Sequence, residues 1–131
     1  MAQARKMELK GLETLEYQFG VFDKIPDSAQ VRMVMDMISD EKKSNDEFRQ
    51  MVDAYKRRDL AALGGKLNDN AELTGFEDLL LKNRNANWVP VMEKAMAEMP
   101  SFFAVGAGHL PGKDGVLALL RQAGYAVRPV Y

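Results

Sequence analysis

Residues 105–125 read VGAGHLPGKDGVLALLRQAGY and predict the loop and helix of a βαβ unit. An apolar run that suits a buried strand comes before this stretch, and its Leu-rich second half suits an amphipathic helix. Between the two lie four glycines and the only histidine of the chain, His109. Open α/β sheets bind ligands where strand ends face helix starts, and glycine there lets a ligand approach the backbone closely. His109 is therefore the first candidate for a functional residue.

Two further segments have strand character. Residues 6–13 alternate apolar and charged side chains, which is the period of a half-buried strand. Residues 125–130 follow the helix predicted over 115–123, and with residues 101–106 they complete a strand–helix–strand unit with a right-handed crossover. The sequence therefore predicts an α/β fold with a small, mostly parallel sheet.

Helical patterns fill the middle of the chain, and they predict a helical insertion over about residues 28–99. Its first helix has apolar residues at helical spacing, namely Val31, Val34, Met35 and Ile38. A later helix is expected to start near Asn85 or Asn87, because Pro90 is tolerated in a first turn and not in a helix interior. A chain of 131 residues is expected to form one domain with a modest core.

Composition excludes several classes of protein. The 18 Lys and Arg residues against 19 Asp and Glu residues leave a net charge of −1, so no basic field favours nucleic acid or a membrane surface as partner. Without cysteine the chain has no disulfide, thiolate zinc site or cysteine nucleophile. No apolar run approaches the ~18 residues of a membrane span, and no signal-type apolar segment follows the N-terminal residues.

Several familiar catalytic motifs are missing as well. The glycines Gly106, Gly108 and Gly112 miss the dinucleotide fingerprint Gly-x-Gly-x-x-Gly by one residue, and no acidic residue follows at the distance that ribose binding requires. No serine has the sequence context of a nucleophile elbow, and no His-Glu-x-x-His helix occurs. The sequence gives no support to nucleotide binding, serine hydrolysis or zincin chemistry.

Three separated motifs run through the chain in a recognisable order. They are Gly11-Leu12-Glu13-Thr14 with Gln18, Asn83-Arg84-Asn85 with Trp88, and Gly106-Ala107-Gly108-His109 followed by Leu110-Pro111-Gly112. Together they resemble the TraB/GumN family, which is related to the Tiki-type metal-dependent proteases, and the resemblance covers essentially the whole chain. Whole members of that family carry an earlier Gly-x-x-His motif, whereas the only one here spans residues 106–109. The chain therefore resembles the C-terminal portion of a longer protein.

The resemblance implies a hydrolytic site with three catalytic residues, Glu13, Arg84 and His109. In that site His109 and Glu13 would bind a divalent metal ion, and Arg84 would steady negative charge on the substrate or the transition state. Four more residues are expected to bind substrate: Gln18, Asn85, Gly106 and Gly108. If the predicted strands are parallel, Glu13 and His109 lie at the same edge of the sheet. A catalytic metal usually has three protein ligands, so further ligands would have to come from outside this chain.

Each of the three proposed catalytic residues also has a plainer interpretation from the sequence alone. Glu13 can be a solvated residue at the end of a strand, Arg84 a surface arginine beside a helix cap, and His109 a structural histidine. Any export signal of the longer protein would lie outside this chain, which is expected to be soluble. A periplasmic or extracellular location of the longer protein stays open.

Two functions of different classes remain. The first is a metal-dependent hydrolase or protease acting on a peptide or small molecule, weakly active or inactive as this portion. The second is a non-enzymatic interaction module that self-associates through the edge of its sheet. A homodimer is expected, because a sheet without half of its strands exposes unpaired backbone groups and apolar surface.

Overall fold

The structure is a computed structural model that describes residues 8–68 and 75–130. Helices make up the regular structure of these residues. In chain order they are α1 (Leu15–Phe22), α2 (Asp27–Ser39), α3 (Glu41–Lys56), α4 (Leu60–Asn68), a π-helical turn (Asp78–Lys82), α5 (Asn83–Glu98), a 3₁₀ turn (Ala107–His109) and α6 (Val116–Gln122). None of the helices in the described residues is long and apolar enough to cross a membrane.

The predicted α/β fold with a parallel sheet is wrong. Residues 8–13, 101–106 and 125–130 form no strand in the described part of the chain, and the first two residues of the predicted strand 6–13 lie outside it. The side chains of Phe103 and Val105, from the apolar run that was expected to be a buried strand, do pack against the core. A sheet also needs backbone hydrogen bonds between neighbouring strands, and alternation along one segment does not supply a neighbour.

The helical predictions agree better with the structure. Where residues 28–99 are described they are largely helical, and α6 lies within the range 115–123 that the sequence predicts. Gly124 follows the C-cap residue Ala123 of α6 and has a φ of 94°, a conformation that glycine adopts without strain.

The start of α5 differs from the prediction. Pro90 lies inside α5 and not in its first turn, because the helix begins at Asn83 and continues directly from the π-helical turn. Asn85 is consequently an interior residue of the helix, and its side chain does not cap the N-terminus. The amide of Asn85 is left to bond with another part of the chain.

The main core lies between α5 and α6. Trp88, Met92 and Val116 are buried at its centre. Partly buried side chains from α5, α6 and the non-helical segments pack around them: Leu12, Met96, Phe103, Val105, Leu110 and Leu120. Residues 8–13, α5 and the 3₁₀ turn are thereby held against one another. The polar side chains at the border of this core form the candidate site.

Candidate functional site

Glu13 is positioned by the start of α1. Thr14 is the N-cap of that helix, and its Oγ1 accepts a hydrogen bond of 3.1 Å from the backbone N–H of Tyr17. This cap fixes the chain direction at the residue before it. The carboxylate of Glu13 meets α5 at Arg84 and Trp88.

Arg84 and Glu13 form a charge-assisted hydrogen-bonded pair. The Nε of Arg84 lies 3.1 Å from both carboxylate oxygens, and its Nη2 donates to Oε1 at 2.6 Å. The indole Nε1 of Trp88 donates to Oε2 at 2.9 Å. Burial alone would raise the pKa of Glu13, but the hydrogen bonds from Arg84 and Trp88 outweigh it and lower this pKa below its usual value. Glu13 is therefore ionised at neutral pH.

The guanidinium of Arg84 has further partners in α5 and in the turn before it. Its Nη1 donates to the backbone carbonyl of Leu80 at 3.1 Å, and its central carbon lies 5.0 Å from the ring centroid of Trp88. All three nitrogens thus donate hydrogen bonds within the protein. The role of Arg84 in steadying substrate charge stays a prediction, and in this structure its observed partner is Glu13.

Asn85 orients the ring of His109. The hydrogen bonds of Asn85 also determine which tautomer the ring adopts. The Nδ2 of Asn85 donates to the backbone carbonyl of Asp114 at 2.9 Å. Its Oδ1 therefore faces His109, 2.7 Å from the ring Nδ1. An amide oxygen only accepts, so Nδ1 must carry the hydrogen and Nε2 must have a free lone pair.

The imidazole of His109 is kept neutral. Burial, and after it the positive charge of Arg84, lower the pKa of His109 from 6.5 to about 4, against the opposite effect of the Glu13 carboxylate. The residue is 8% exposed, and its ring lies 4.4 Å from the ring of Trp88, measured between centroids. Among the described residues Nε2 has no hydrogen-bond partner. Beside the charged Glu13 and Arg84 and the bonded Asn85, the Nε2 of His109 is a neutral nitrogen whose lone pair accepts no hydrogen bond from the described residues.

The glycines of the loop support this arrangement through the backbone. The carbonyl of Gly106 accepts a hydrogen bond of 2.9 Å from the backbone N–H of His109, which closes the 3₁₀ turn that also contains Gly108. A Cβ at Gly106 would lie 3.5 Å from Cδ2 of His109, whereas one at Gly115 would lie 2.1 Å from the carbonyl oxygen of Pro111. Substrate binding by Gly106 and Gly108 stays a prediction.

The structure brings together four of the residues that the sequence nominated: Glu13, Arg84, Asn85 and His109. Trp88, which sequence reasoning assigns to packing, joins them as a donor to Glu13 and as the surface under His109. Its position four residues after Arg84 places both on one face of a helix, a signal that the sequence contains. Gln18 is exposed on α1 and is not among the hydrogen-bond partners of these residues. We call Glu13, Arg84, Asn85, Trp88 and His109 the His109 cluster.

The described residues do not form a complete metal site. His109 offers one nitrogen, while both oxygens of Glu13 already accept hydrogen bonds from Arg84 and Trp88. Within residues 8–68 and 75–130 no group of three or more His, Cys, Asp or Glu side chains is placed to hold a metal ion. Glu13 would have to give up these bonds to become a ligand.

Comparison with known proteins bears on the three motifs from which the cluster is built. The family model described as the TraB/PrgY/gumN family matches residues 1–129. The chain belongs to the TraB/PrgY/gumN family. Comparisons with curated proteins and with solved structures found no match. The resemblance read from the sequence is confirmed, and in this TraB/PrgY/gumN chain the three motifs meet in the His109 cluster.

Proposed function

We propose that this TraB/PrgY/gumN chain contributes one side of a hydrolytic site, with the Nε2 of His109 as its reacting atom. The observation that carries the proposal is a pair of hydrogen bonds made by Asn85. Its Nδ2 donates to the backbone carbonyl of Asp114, and its Oδ1 accepts from the Nδ1 of His109. They hold the imidazole as the Nδ1–H tautomer and leave the Nε2 lone pair for a ligand or a proton.

The low pKa of His109 indicates which use of that lone pair is favoured. A base with a pKa of about 4 is almost fully unprotonated at pH 7, so protons do not compete with a metal ion for the nitrogen. The same low pKa makes it a weak proton acceptor at neutral pH. Nε2 is therefore better suited to bind an electrophile than to remove a proton.

Glu13 and Arg84 act in this proposal as positioning residues. Their ion pair holds Trp88 through the indole N–H, and Trp88 supports the ring of His109. Metal dependence and a peptide or small-molecule substrate remain expectations of the family. Because the described residues do not complete a metal site, the proposal rests on His109 and on no metal geometry.

Two substitutions of His109 separate a reacting role from a structural one. His109→Asn places an amide nitrogen where Nδ1 was, so that the hydrogen bond to Asn85 can be kept while Nε2 is removed. His109→Gln places a nitrogen near the Nε2 position and loses the bond to Asn85. Lys113→Ala, at an exposed side chain of the same loop, is the matched control.

The experiment measures peptide hydrolysis by the purified chain with Zn²⁺, Mn²⁺ or Co²⁺, together with metal affinity by calorimetry. We expect His109→Asn to lose metal binding and to reduce any turnover by about 100-fold or more, as the loss of an essential group does, while Lys113→Ala keeps both. An unmodified chain that binds none of the three metal ions contradicts the proposal, whereas weak or absent turnover agrees with a chain that supplies one side of the site. A His109→Asn variant with unchanged binding and turnover contradicts it as well.

One observation favours the non-enzymatic alternative of a self-associating chain, although the sheet edge expected for it is absent from the described residues. In the segment 101–106 Phe103 and Val105 pack against the core, while Phe102 is 84% exposed. This is one strand-like segment with an uncovered apolar face. In this alternative Phe102→Lys abolishes self-association, and the His109 variants change neither metal binding nor turnover.

A further inference from the structure

Helix α4 lies beside the loop that carries His109. At Gly64 the helix approaches Pro111, which follows His109 by two residues. A Cβ added at Gly64 would lie 2.9 Å from the Cβ of Pro111 and 3.2 Å from its Cγ, whereas one at Gly65 would meet nothing within 4 Å. Carbon atoms in favourable contact are about 3.5–4.0 Å apart. Glycine at position 64 therefore allows α4 to lie closer to the loop than any other residue would.

Helix α4 is itself fixed at this place. The backbone N–H of Asp59 donates to the carbonyl of Ala54 in α3 at 3.0 Å, and its Oδ1 caps α4 by accepting from the backbone N–H of Ala62 at 2.9 Å. Leu63, directly before Gly64, is only 4% exposed. Because the start of α4 and a side chain beside Gly64 are held, we expect added volume at Gly64 to displace the loop.

The loop contains both groups that bond to Asn85. Nδ1 of His109 lies 2.7 Å from the Oδ1 of Asn85, and the backbone carbonyl of Asp114 lies 2.9 Å from its Nδ2. The ring of Pro111, between these two residues of the loop, faces Gly64, and its carbonyl oxygen lies against the backbone of Gly115. A displacement of Pro111 away from α4 would therefore move the loop relative to Asn85 and lengthen these bonds.

We propose that Gly64 is a positioning residue for His109. By letting α4 pack directly on Pro111, Gly64 keeps the loop where Asn85 holds the imidazole buried and in the Nδ1–H tautomer. The inference rests on the proposed function, in which the Nε2 of His109 is the reacting atom. Gly64 acts on that atom through Pro111, and a shift of the loop would change how Nε2 is presented to a ligand.

Gly64→Ala tests the proposal, with Gly65→Ala as the matched control, since each adds one methyl group to α4. Nitrogen-15 NMR of the ring follows the titration of His109. We expect the pKa of His109 to move from about 4 toward 6.5 in Gly64→Ala, because the displaced ring is less buried, and to stay at about 4 in Gly65→Ala. Circular dichroism should show that both variants keep their helices, so the shift does not come from unfolding.

Metal affinity gives a second measurement. Calorimetry with Zn²⁺ should show affinity about 10-fold or more weaker for Gly64→Ala and unchanged for Gly65→Ala, as the loss of support for a ligand does. The NMR titration needs no metal. A chain that binds no metal therefore contradicts the proposed function, while the titration still decides whether Gly64 positions His109.

Pro111→Gly supplies a rescue, because it removes both carbon atoms that an added Cβ would meet. The double variant G64A/P111G should titrate as P111G alone does, and this comparison decides the matter if Gly64→Ala by itself does not fold. Three results would overturn the proposal. They are a folded Gly64→Ala variant with a pKa of about 4 for His109, an equal shift in Gly65→Ala, and an effect of Gly64→Ala that persists beside P111G.

Discussion

At the scale of single residues, the ion pair of Glu13 and Arg84 is the charged contact of the His109 cluster. Their side chains are only 13% and 14% exposed, and the carboxylate accepts bonds from both Arg84 and Trp88. Breaking one partner of a buried pair leaves an uncompensated charge, which costs more than the pair itself contributes. Loss of either residue should therefore destabilise the fold.

We expect Glu13→Gln to lower the free energy of unfolding by about 2–4 kcal/mol, because Arg84 stays charged without its partner. The measurement is urea denaturation at pH 7. Glu8→Gln is the matched control: Glu8 pairs with Lys10 at 3.2 Å, but the two side chains are 67% and 70% exposed, so the change should stay below about 0.5 kcal/mol. Equal effects of the two substitutions would show that burial of the Glu13 pair has no energetic consequence.

The sequence nominated Glu13, Arg84, Asn85 and His109, and its motifs were sufficient for that. What they could not indicate is how these side chains bond to one another. The tautomer of His109 depends on the Asp114 carbonyl, which bonds to Asn85 across 29 positions of the chain. Such a contact exists only once the loop and α5 have packed together.

At the scale of elements, the turn that follows His109 depends on Gly115. This residue is buried, and a Cβ there would lie 2.1 Å from the carbonyl oxygen of Pro111 and 2.5 Å from that of Leu110. Backbone atoms at such distances cannot be displaced by rotating a side chain. The turn and the start of α6 must shift if any side chain is introduced.

Gly115→Ala should therefore lower the free energy of unfolding by more than about 2 kcal/mol, in the range of strained or overpacked sites. Gly65→Ala is the comparison within a helix, because a Cβ there meets nothing within 4 Å. Alanine at that position of α4 should stabilise the protein by about 0.5–1 kcal/mol. Thermal unfolding of both variants checks the prediction, and two substitutions with the same sign would contradict it.

The helices could be predicted from the sequence, whereas the sheet that the sequence predicted is absent from the described residues. The 3.6-residue spacing is a property of one segment, so the positions of α2 and α6 follow from local sequence. Strand pairing needs a second segment in register, and the apolar run at residues 101–106 has no neighbouring strand in the described part of the chain. The start of α5 predicted from Pro90 was wrong for a related reason. The preceding π-helical turn runs directly into α5, so the helix begins upstream of the expected start.

At the scale of the whole molecule, His109 couples stability to pH. Its pKa in the folded protein is about 4, below the ordinary 6.5, so the unfolded chain binds a proton between these values and the folded chain does not. The stability that depends on neutral His109 is complete above pH 6.5 and is lost as the pH falls toward 4, by up to about 3 kcal/mol. The lowered pKa of Glu13 adds a further loss at lower pH.

Urea denaturation at pH 7, 5.5 and 4.5 measures this coupling. We expect the unmodified chain to lose stability across the series and His109→Asn to lose much less, because no other imidazole is present. If the free energy of unfolding falls equally with pH in the two proteins, the loss of stability in acid is due to the carboxylates alone.

Helix α2 has an apolar side that the described residues do not cover, and the sequence pattern does not predict this exposure. The spacing of Val31, Val34, Met35 and Ile38 predicts an amphipathic helix, and α2 is helical over these residues. Periodicity does not say whether the covering surface comes from the same chain or from another. The described residues leave these four side chains exposed.

The central claim is that His109 is held as a neutral Nδ1–H imidazole with a free Nε2, and nitrogen-15 NMR of the ring tests it directly. His109 is the only histidine, so its two ring signals need no further assignment between residues. We expect a protonated Nδ1 and an unprotonated Nε2 at pH 7, with both signals constant until they titrate with a midpoint of about 4. A proton on Nε2 at pH 7, or a midpoint near 6.5, would contradict the account.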